Sequence, residues 1–242
     1  MNNFFDYEGW ELNFFDEAEN FRNYQFDIIK KYLNGSVAEV WPGSCSLCEK
    51  YKDNCETIIL YEPSKKLFEN LVKKFNSDKK IDLKNDEFDS KKDKFDCILV
   101  MDVLEHIEDP KNLIAKLFGS LNSNGKLLIN VPAFQHLYSS FDKDVGHVKR
   151  YNKNSFLKEL SLVKVKKINM FYYDSVGYIL SFLSQILFTI SKNYKNNYKK
   201  NFDKKIYFWN FLMPISRIID KCIFNSFGKS LFVVLEKNNE KN

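Results

Sequence analysis

Glycine and proline are scarce in this chain, with 8 and 5 in 242 residues. Their scarcity, beside a hydrophobic content of 44%, argues for a packed globule rather than a loop-rich or linker-rich chain. The five cysteines (45, 48, 55, 97, 222) are odd in number and unevenly spaced, which fits reduced thiols in a cytoplasm. "CSLC" with Cys55 lacks a nearby fourth ligand, so no tetrahedral zinc cage closes. The opening residues are acidic and lack a basic-then-apolar pattern, so no secretory signal is read there. The longest apolar run, 176–190, makes a helix of about 22 Å, short of the ~30 Å hydrocarbon core.

Charge is present but uneven. Residues 176–242 hold 11 Lys/Arg against 4 Asp/Glu, a net +7, whereas residues 1–175 hold 26 against 28, a net −2. The first part therefore carries no basic stripe, and nucleic acid is not an expected partner. Nothing in the pattern sets an oligomeric state.

Residues 1–34 read as a helical lead-in, with Phe21, Ile28, Ile29, Tyr32 and Leu33 at helical spacing and Gly35 as the stop. Strands then alternate with helices. "SVAEVW", "ETIILYEPS", "KIDLKN", "KFDCILVMD" and "GKLLINVP" read as five strands. "KKLFENLVKKF" and "DPKNLIAKLFGSL" are amphipathic helices, the second with Asp109 as N-cap and Pro110 in its first position. "VKVKKINMFYY" and "KSLFVVLEK" would close the sheet, with a helical insertion between them at about 174–228. The expected fold is a Rossmann-like seven-stranded, mostly parallel sheet over residues 35–242, with that insertion before the last strand.

Two stretches carry chemistry. Glu62 follows Gly43 by 19 residues, the separation at which an acid after a second strand meets ribose hydroxyls; a solvated strand-end charge is the plainer account. In "MDVLEHIEDP", Asp102, Glu105 and His106 fall at i, i+3 and i+4, on one face of the turn leaving the fourth strand. A helix N-terminus favouring acids would have the same composition.

Together "AEVWPG", "ILYEPS", "FDCILVMDVLEHIEDP", "GKLLINVP" and "VPAFQHLYSSFDKDVGHVKRY" resemble the class I S-adenosylmethionine-dependent methyltransferases, over roughly residues 36–160. The first turn departs from that family's E/D-x-G-x-G-x-G: Glu39, Trp41, Gly43 and Cys45 occupy the register, so two glycines are missing. The resemblance implies S-adenosyl-L-methionine as cofactor. Glu39 and Gly43 would face its methionine part, Glu62 its ribose, Asp86 or Glu87 its adenine amino group, and Met101 the adenine ring. It implies catalytic roles for His147 and His106, and, by analogy with relatives that pair an E-x-x-E-H turn with a later histidine, a divalent metal on Asp102, Glu105, His106 and His147. Without metal, either histidine is a candidate general base, and His106 is equally a structural histidine; His136 is read as structural.

The expected activity is methyl transfer, at oxygen, to a small-molecule, glycan or lipid-linked acceptor. Lys149 and Arg150 are candidates to meet an anionic group of that acceptor, or are simply solvated. The rival is a non-catalytic relative that kept the fold as a binding or membrane-associated module. For the insertion, the apolar 176–190 beside "KNYKNNYKKNFDKK" suits either an anionic membrane surface or a lid over the acceptor side.

Overall fold

The computed structural model describes residues 9–88, 93–190 and 201–239. Seven strands form one sheet: β1 Ser36–Val40, β2 Thr57–Tyr61, β3 Ile81–Lys84, β4 Phe95–Met101, β5 Leu121–Pro132, β6 Lys167–Tyr173 and β7 Ser230–Glu236. Their order is β3-β2-β1-β4-β5-β7-β6. The first five run parallel, and β7 enters antiparallel between β5 and β6. This is the expected seven-stranded, mostly parallel sheet.

Alternation along each strand divides the core. Val37, Ile58, Leu60, Cys97 and Leu99 face one side, where α2 (Glu19–Ile29), α3 (Ser46–Tyr51) and α4 (Lys65–Phe75) pack. Ala38, Val40, Ile98 and Val100 face the other, against Ile114, Leu117 and Phe118 of α5 (Lys111–Gly119) and Phe156 of α7 (Lys153–Glu159). Strands buried on both faces read as continuous apolar runs because period-two side chains meet a helix layer on either side. The spacing of Leu67, Leu71 and Phe75 buries one stripe of α4, whose N-cap Ser64 accepts from Leu67 N–H.

Some boundaries move. β5 starts at Leu121, four residues before the expected strand, because Leu121 pairs with Phe95 before a register shift. Pro110 is the N-cap of α5 and Asp109 lies one residue outside it. The lead-in forms α1 (Leu12–Asp16), α2 and a tight turn at Lys30–Tyr32, and it packs into the sheet's core rather than standing apart.

Between β6 and β7 lie two long helices, α8 (Ser175–Ile190) and α9 (Phe202–Cys222). Their roots are tied by buried polar groups. Asp220 on α9 accepts from the backbone N–H groups of Asp174 and Ser175 and from the Tyr24 hydroxyl. Asp174 accepts from Gly177 N–H and Trp209 Nε1. No helix among the described residues is long and apolar enough to cross a membrane. Most of the lysine-rich run lies outside the described residues; only Asn201–Lys205 fall within them.

Candidate active site

The carboxyl ends of β1, β2, β4 and β5 meet along one edge, where the loops define a cavity of about 190 Å³. Because β7 is antiparallel, its first residues reach the same edge: Ser230 pairs with Pro132. That topology brings Lys229 to the cavity, which spacing along the chain does not suggest.

The turn after β1 keeps a glycine-type backbone without glycines. Trp41, Gly43 and Cys45 have φ of 55°, 61° and 54°. All three positions where the family pattern has glycine are left-handed, a region that costs a side-chain-bearing residue of order 1–2 kcal/mol. The surroundings hold the turn. Trp41 N–H bonds Tyr61 O at 2.8 Å, and Gly43 N–H bonds Glu62 Oε2 at 3.1 Å. Cys45 Sγ donates to Glu39 Oε2 at 3.7 Å, beside a 2.6 Å hydrogen bond from the Tyr51 hydroxyl.

Glu39 and Glu62 are both buried and both line the cavity. Burial raises the Glu39 carboxyl to about 7 against the Tyr51 hydrogen bond. Burial likewise raises Glu62 to about 7, opposed by the Ser64 and Gly43 N–H groups. Gly43 and Met101 also line the cavity. Asp86 and Glu87 do not: both are exposed, and Asp86 Oδ1 accepts from the Glu87 N–H. The turn after β3 points these acids to solvent while Phe88 takes the buried position beside Tyr61.

The turn after β4 is tighter than a helix. Asp102 is left-handed at φ 58°, and Leu104–His106 form a single 3-10 turn. The expected shared face therefore breaks up. Asp102 turns to β5, where its Oδ1 accepts from Asn130 Nδ2 at 2.7 Å, and Asn130 Oδ1 accepts from the Tyr173 hydroxyl. Glu105 and His106 turn to the loop after β5. Ligand atoms of Glu105, His106 and His147 lie within 4.8 Å of one another, and Asp102 is outside that group.

That loop is built around Asp142. Its carboxylate accepts from His147 Nδ1 (2.9 Å), Arg150 Nε (2.8 Å) and Nη2 (3.0 Å), and Ser139 N–H (2.8 Å) and hydroxyl (2.9 Å). Burial alone would raise this carboxyl, but the His147 hydrogen bond and the Arg150 charge hold it well below the usual range. An ionised carboxylate only accepts, so His147 Nδ1 carries a proton and donates it to Asp142, which leaves Nε2 as the ring nitrogen free of this contact. Nε2 stands 3.8 Å from Glu105 Oε1. Val148 N–H bonding Glu105 O, and the Tyr151 hydroxyl bonding Leu104 O, clasp the loop to the β4 turn.

Glu105 is fully buried and neither of its carboxylate oxygens has a hydrogen-bond donor among the described residues. Burial, then repulsion from Asp102, pushes its pKa far up. Burial and the neighbouring His147 push His106 down to about 3, so it is neutral at ordinary pH. Two neutral-capable imidazoles and an unsatisfied carboxylate form a donor set that fits a divalent cation. Arg150 is buried on Asp142 and also lines the cavity, and Lys149 pairs with Glu159. His136 is exposed and contacts the Tyr178 hydroxyl. Sequence reasoning missed Asp142 as the residue that orients His147, and missed Arg22, Phe141, Trp209 and Lys229 in the cavity wall.

A doubly wound sheet with a left-handed turn after β1, an acid after β2 and a histidine held over the same crevice defines a class I S-adenosylmethionine-dependent methyltransferase fold. The chain belongs to the methyltransferase-domain family, whose model matches residues 8–169. No curated protein matches the sequence. Among solved structures it is similar to phosphoethanolamine N-methyltransferase 2 of Haemonchus contortus, seen with phosphomonomethylethanolamine and S-adenosylhomocysteine: TM-score 0.65, 14% identity, covering 99% of this chain and 61% of that one. The chain thus spans less than two thirds of that enzyme's length. It is also similar to coclaurine N-methyltransferase bound to N-methylheliamine and S-adenosylhomocysteine (TM-score 0.55, 16% identity, 91% and 72% covered). The N-methyltransferase NodS from Bradyrhizobium japonicum WM9 has a TM-score of 0.54 at 11% identity, with 92% and 98% covered.

Proposed function

We propose that the chain transfers a methyl group from S-adenosylmethionine to a hydroxyl of its acceptor, with His147 acting on the acceptor proton. The observation that carries this reading is the Asp142–His147 pair, which engages Nδ1 and leaves Nε2 free of that contact, in a histidine lining the cavity that the β1 turn also lines. The cofactor supplies an electrophilic methyl on sulfonium sulfur. The protein's part is then alignment and proton removal. Trp41, Gly43 and Cys45 shape the turn for the amino-acid end, Glu39 lies beside it, and Glu62 is placed for the ribose diol, exchanging its Gly43 and Ser64 N–H contacts for hydroxyl donors.

Glu105, His106 and His147 alternatively fit a divalent ion, which when bound would occupy the His147 Nε2 and polarise the acceptor oxygen in place of a bare imidazole base. Asp102 has no part in that set and instead orients the β4 turn through Asn130.

Incubation with methyl-labelled S-adenosylmethionine and fractionated cell extracts tests the reading, with mass spectrometry of the labelled product. An O-methyl ether or ester is expected; an N-methyl product, as the named relatives would make, overturns the oxygen assignment. A second reading, a binding module without catalysis, is favoured by one observation: the Trp41 ring lines the cavity at a position the family leaves to glycine. Calorimetry with S-adenosylhomocysteine separates the two, since only the enzyme is expected to bind it.

A further inference from the structure

A second cavity, of about 750 Å³, opens between α6 (Ser140–Asp144), α8 and α9. Its volume falls in the range of organic-ligand sites. Its wall is largely apolar, including Leu180, Leu183, Leu187, Ile206 and Phe208. It shares Phe15, Phe141, Arg150, Trp209 and Lys229 with the first cavity, so an occupant reaching its inner end arrives where His147 stands.

Its outer end lies on an unusual surface. Leu183, Leu187 and Phe208 are cavity residues and are also exposed. Around them Ile190, Tyr207, Phe211 and Ile218 are 74%, 77%, 66% and 66% exposed. α8 carries no charged residue in its whole length. A contiguous apolar face of this kind marks a docking surface on a soluble domain. Charge says what it docks on: Lys205 of α9 lines the cavity and Lys204 next to it is exposed, against Asp203 as that helix's single exposed acid. Apolar residues beside lysines suit an anionic lipid surface.

At the junction of the cavities stands Lys229. Its Nζ lies 4.6 Å from the Trp209 ring centroid, with the buried Asp174 carboxylate, which accepts from Trp209 Nε1, as its main electrostatic partner. Arg150, the neighbouring cation, is already bonded to Asp142.

We infer that the methyl acceptor is a long-chain amphiphile taken from an anionic bilayer surface, with its chain in the cavity between α8 and α9 and an anionic group of its head against Lys229. This rests on the methyl-transfer reading above and narrows its acceptor.

The test uses the full chain with S-adenosylhomocysteine. Flotation compares vesicles of phosphatidylcholine alone with vesicles containing phosphatidylglycerol, and calorimetry compares hexyl phosphate, dodecyl phosphate and dodecyltrimethylammonium below their micelle thresholds. The chain should float with the anionic vesicles only. Affinity for alkyl phosphates should rise about fourfold per methylene while the added carbons still enter the cavity. Lys229→Met should weaken dodecyl phosphate at least tenfold, with Lys229→Arg restoring most of it. Leu183→Asp, at an exposed position, should weaken dodecyl phosphate and flotation without changing S-adenosylhomocysteine affinity. Chain-length independence, equal binding of the ammonium amphiphile, absence of flotation, or a stable dimer that buries this face would each overturn the inference. Loss of S-adenosylhomocysteine binding alone would instead sink the methyl-transfer reading, because the amphiphile measurements do not depend on it.

Discussion

His147 Nδ1 lies 2.9 Å from Asp142 Oδ1, and this contact decides which ring nitrogen is left for chemistry. His147→Ala is expected to lower turnover roughly 10²- to 10⁴-fold, the usual worth of a positioned base. S-adenosylhomocysteine affinity, by calorimetry, should stay within about twofold. A large loss of cofactor affinity would show that His147 holds the cofactor rather than the acceptor.

Asp142→Ala should cost more than activity. It leaves Arg150, itself buried, without its carboxylate, and breaking one partner of a buried ion pair costs about 3–5 kcal/mol. Urea denaturation measures the difference. A cost under about 1 kcal/mol would mean that Arg150 relaxes to solvent and that the loop is not built on this pair.

Mn²⁺ is expected to bind once per chain, and Glu105→Ala to abolish that binding, because Glu105 supplies otherwise unsatisfied carboxylate oxygens. Asp102→Asn should leave Mn²⁺ affinity nearly intact. Electron paramagnetic resonance of free Mn²⁺ reads both. Activity that survives EDTA, with no Mn²⁺ uptake, assigns His147 as a bare base.

Glu62 links cofactor binding to pH. Its carboxyl moves from 4.5 to about 7 on folding, through burial. The folded chain holds this proton more tightly than the unfolded one, so the contribution is fully present below pH 4.5 and is lost as pH rises through 7. Glu62→Gln should therefore stabilise the cofactor-free protein at pH 8 by roughly 1–3 kcal/mol and change little below about pH 4. The same substitution should weaken S-adenosylhomocysteine by about 1.5–3 kcal/mol, the worth of hydrogen bonds to a charged acceptor. Thermal melts across pH and calorimetry check the two halves, and an unchanged dissociation constant removes Glu62 from the ribose site.

Trp41→Gly with Cys45→Gly should tighten S-adenosylhomocysteine tenfold or more, since the Trp41 ring lines the cavity where the family has glycine and clearing it needs to gain only about 1.4 kcal/mol for a factor of ten. A folded double variant that binds no better would assign the Trp41 ring a working role in the cavity wall.

The strands were legible in the sequence because buried strands are apolar runs and helices repeat every three to four residues, and both are properties of neighbours along the chain. The amphipathic stripe of α4 and the acid following β2 fall where spacing puts them. Asp86 and Glu87 also fall just past β3, but outside the cavity: the direction of a turn depends on what packs beside it, and Phe88 takes the buried place. Asp102, Glu105 and His106 show the same limit. Their spacing presumes helical geometry, whereas the left-handed Asp102 and a 3-10 turn send the acids to different partners. In the sequence Arg150 is either an acceptor contact or a solvated charge, and nothing along the chain announces the Asp142 carboxylate that buries it.

By itself the sequence determined the alternating architecture, the family resemblance and the residue types of the candidate site, because hydrophobic period and motif order are local. Only the tertiary structure decided which of those residues meet. The antiparallel entry of β7 carries Lys229 to the crevice, the fold of the β5 loop puts Asp142 under His147, and the packing of the first turn keeps Trp41 and Cys45 in glycine-like conformations. The first joins segments far apart in sequence and the other two are local turns, but all three are set by how the sheet and its helices pack and not by any residue's own preference.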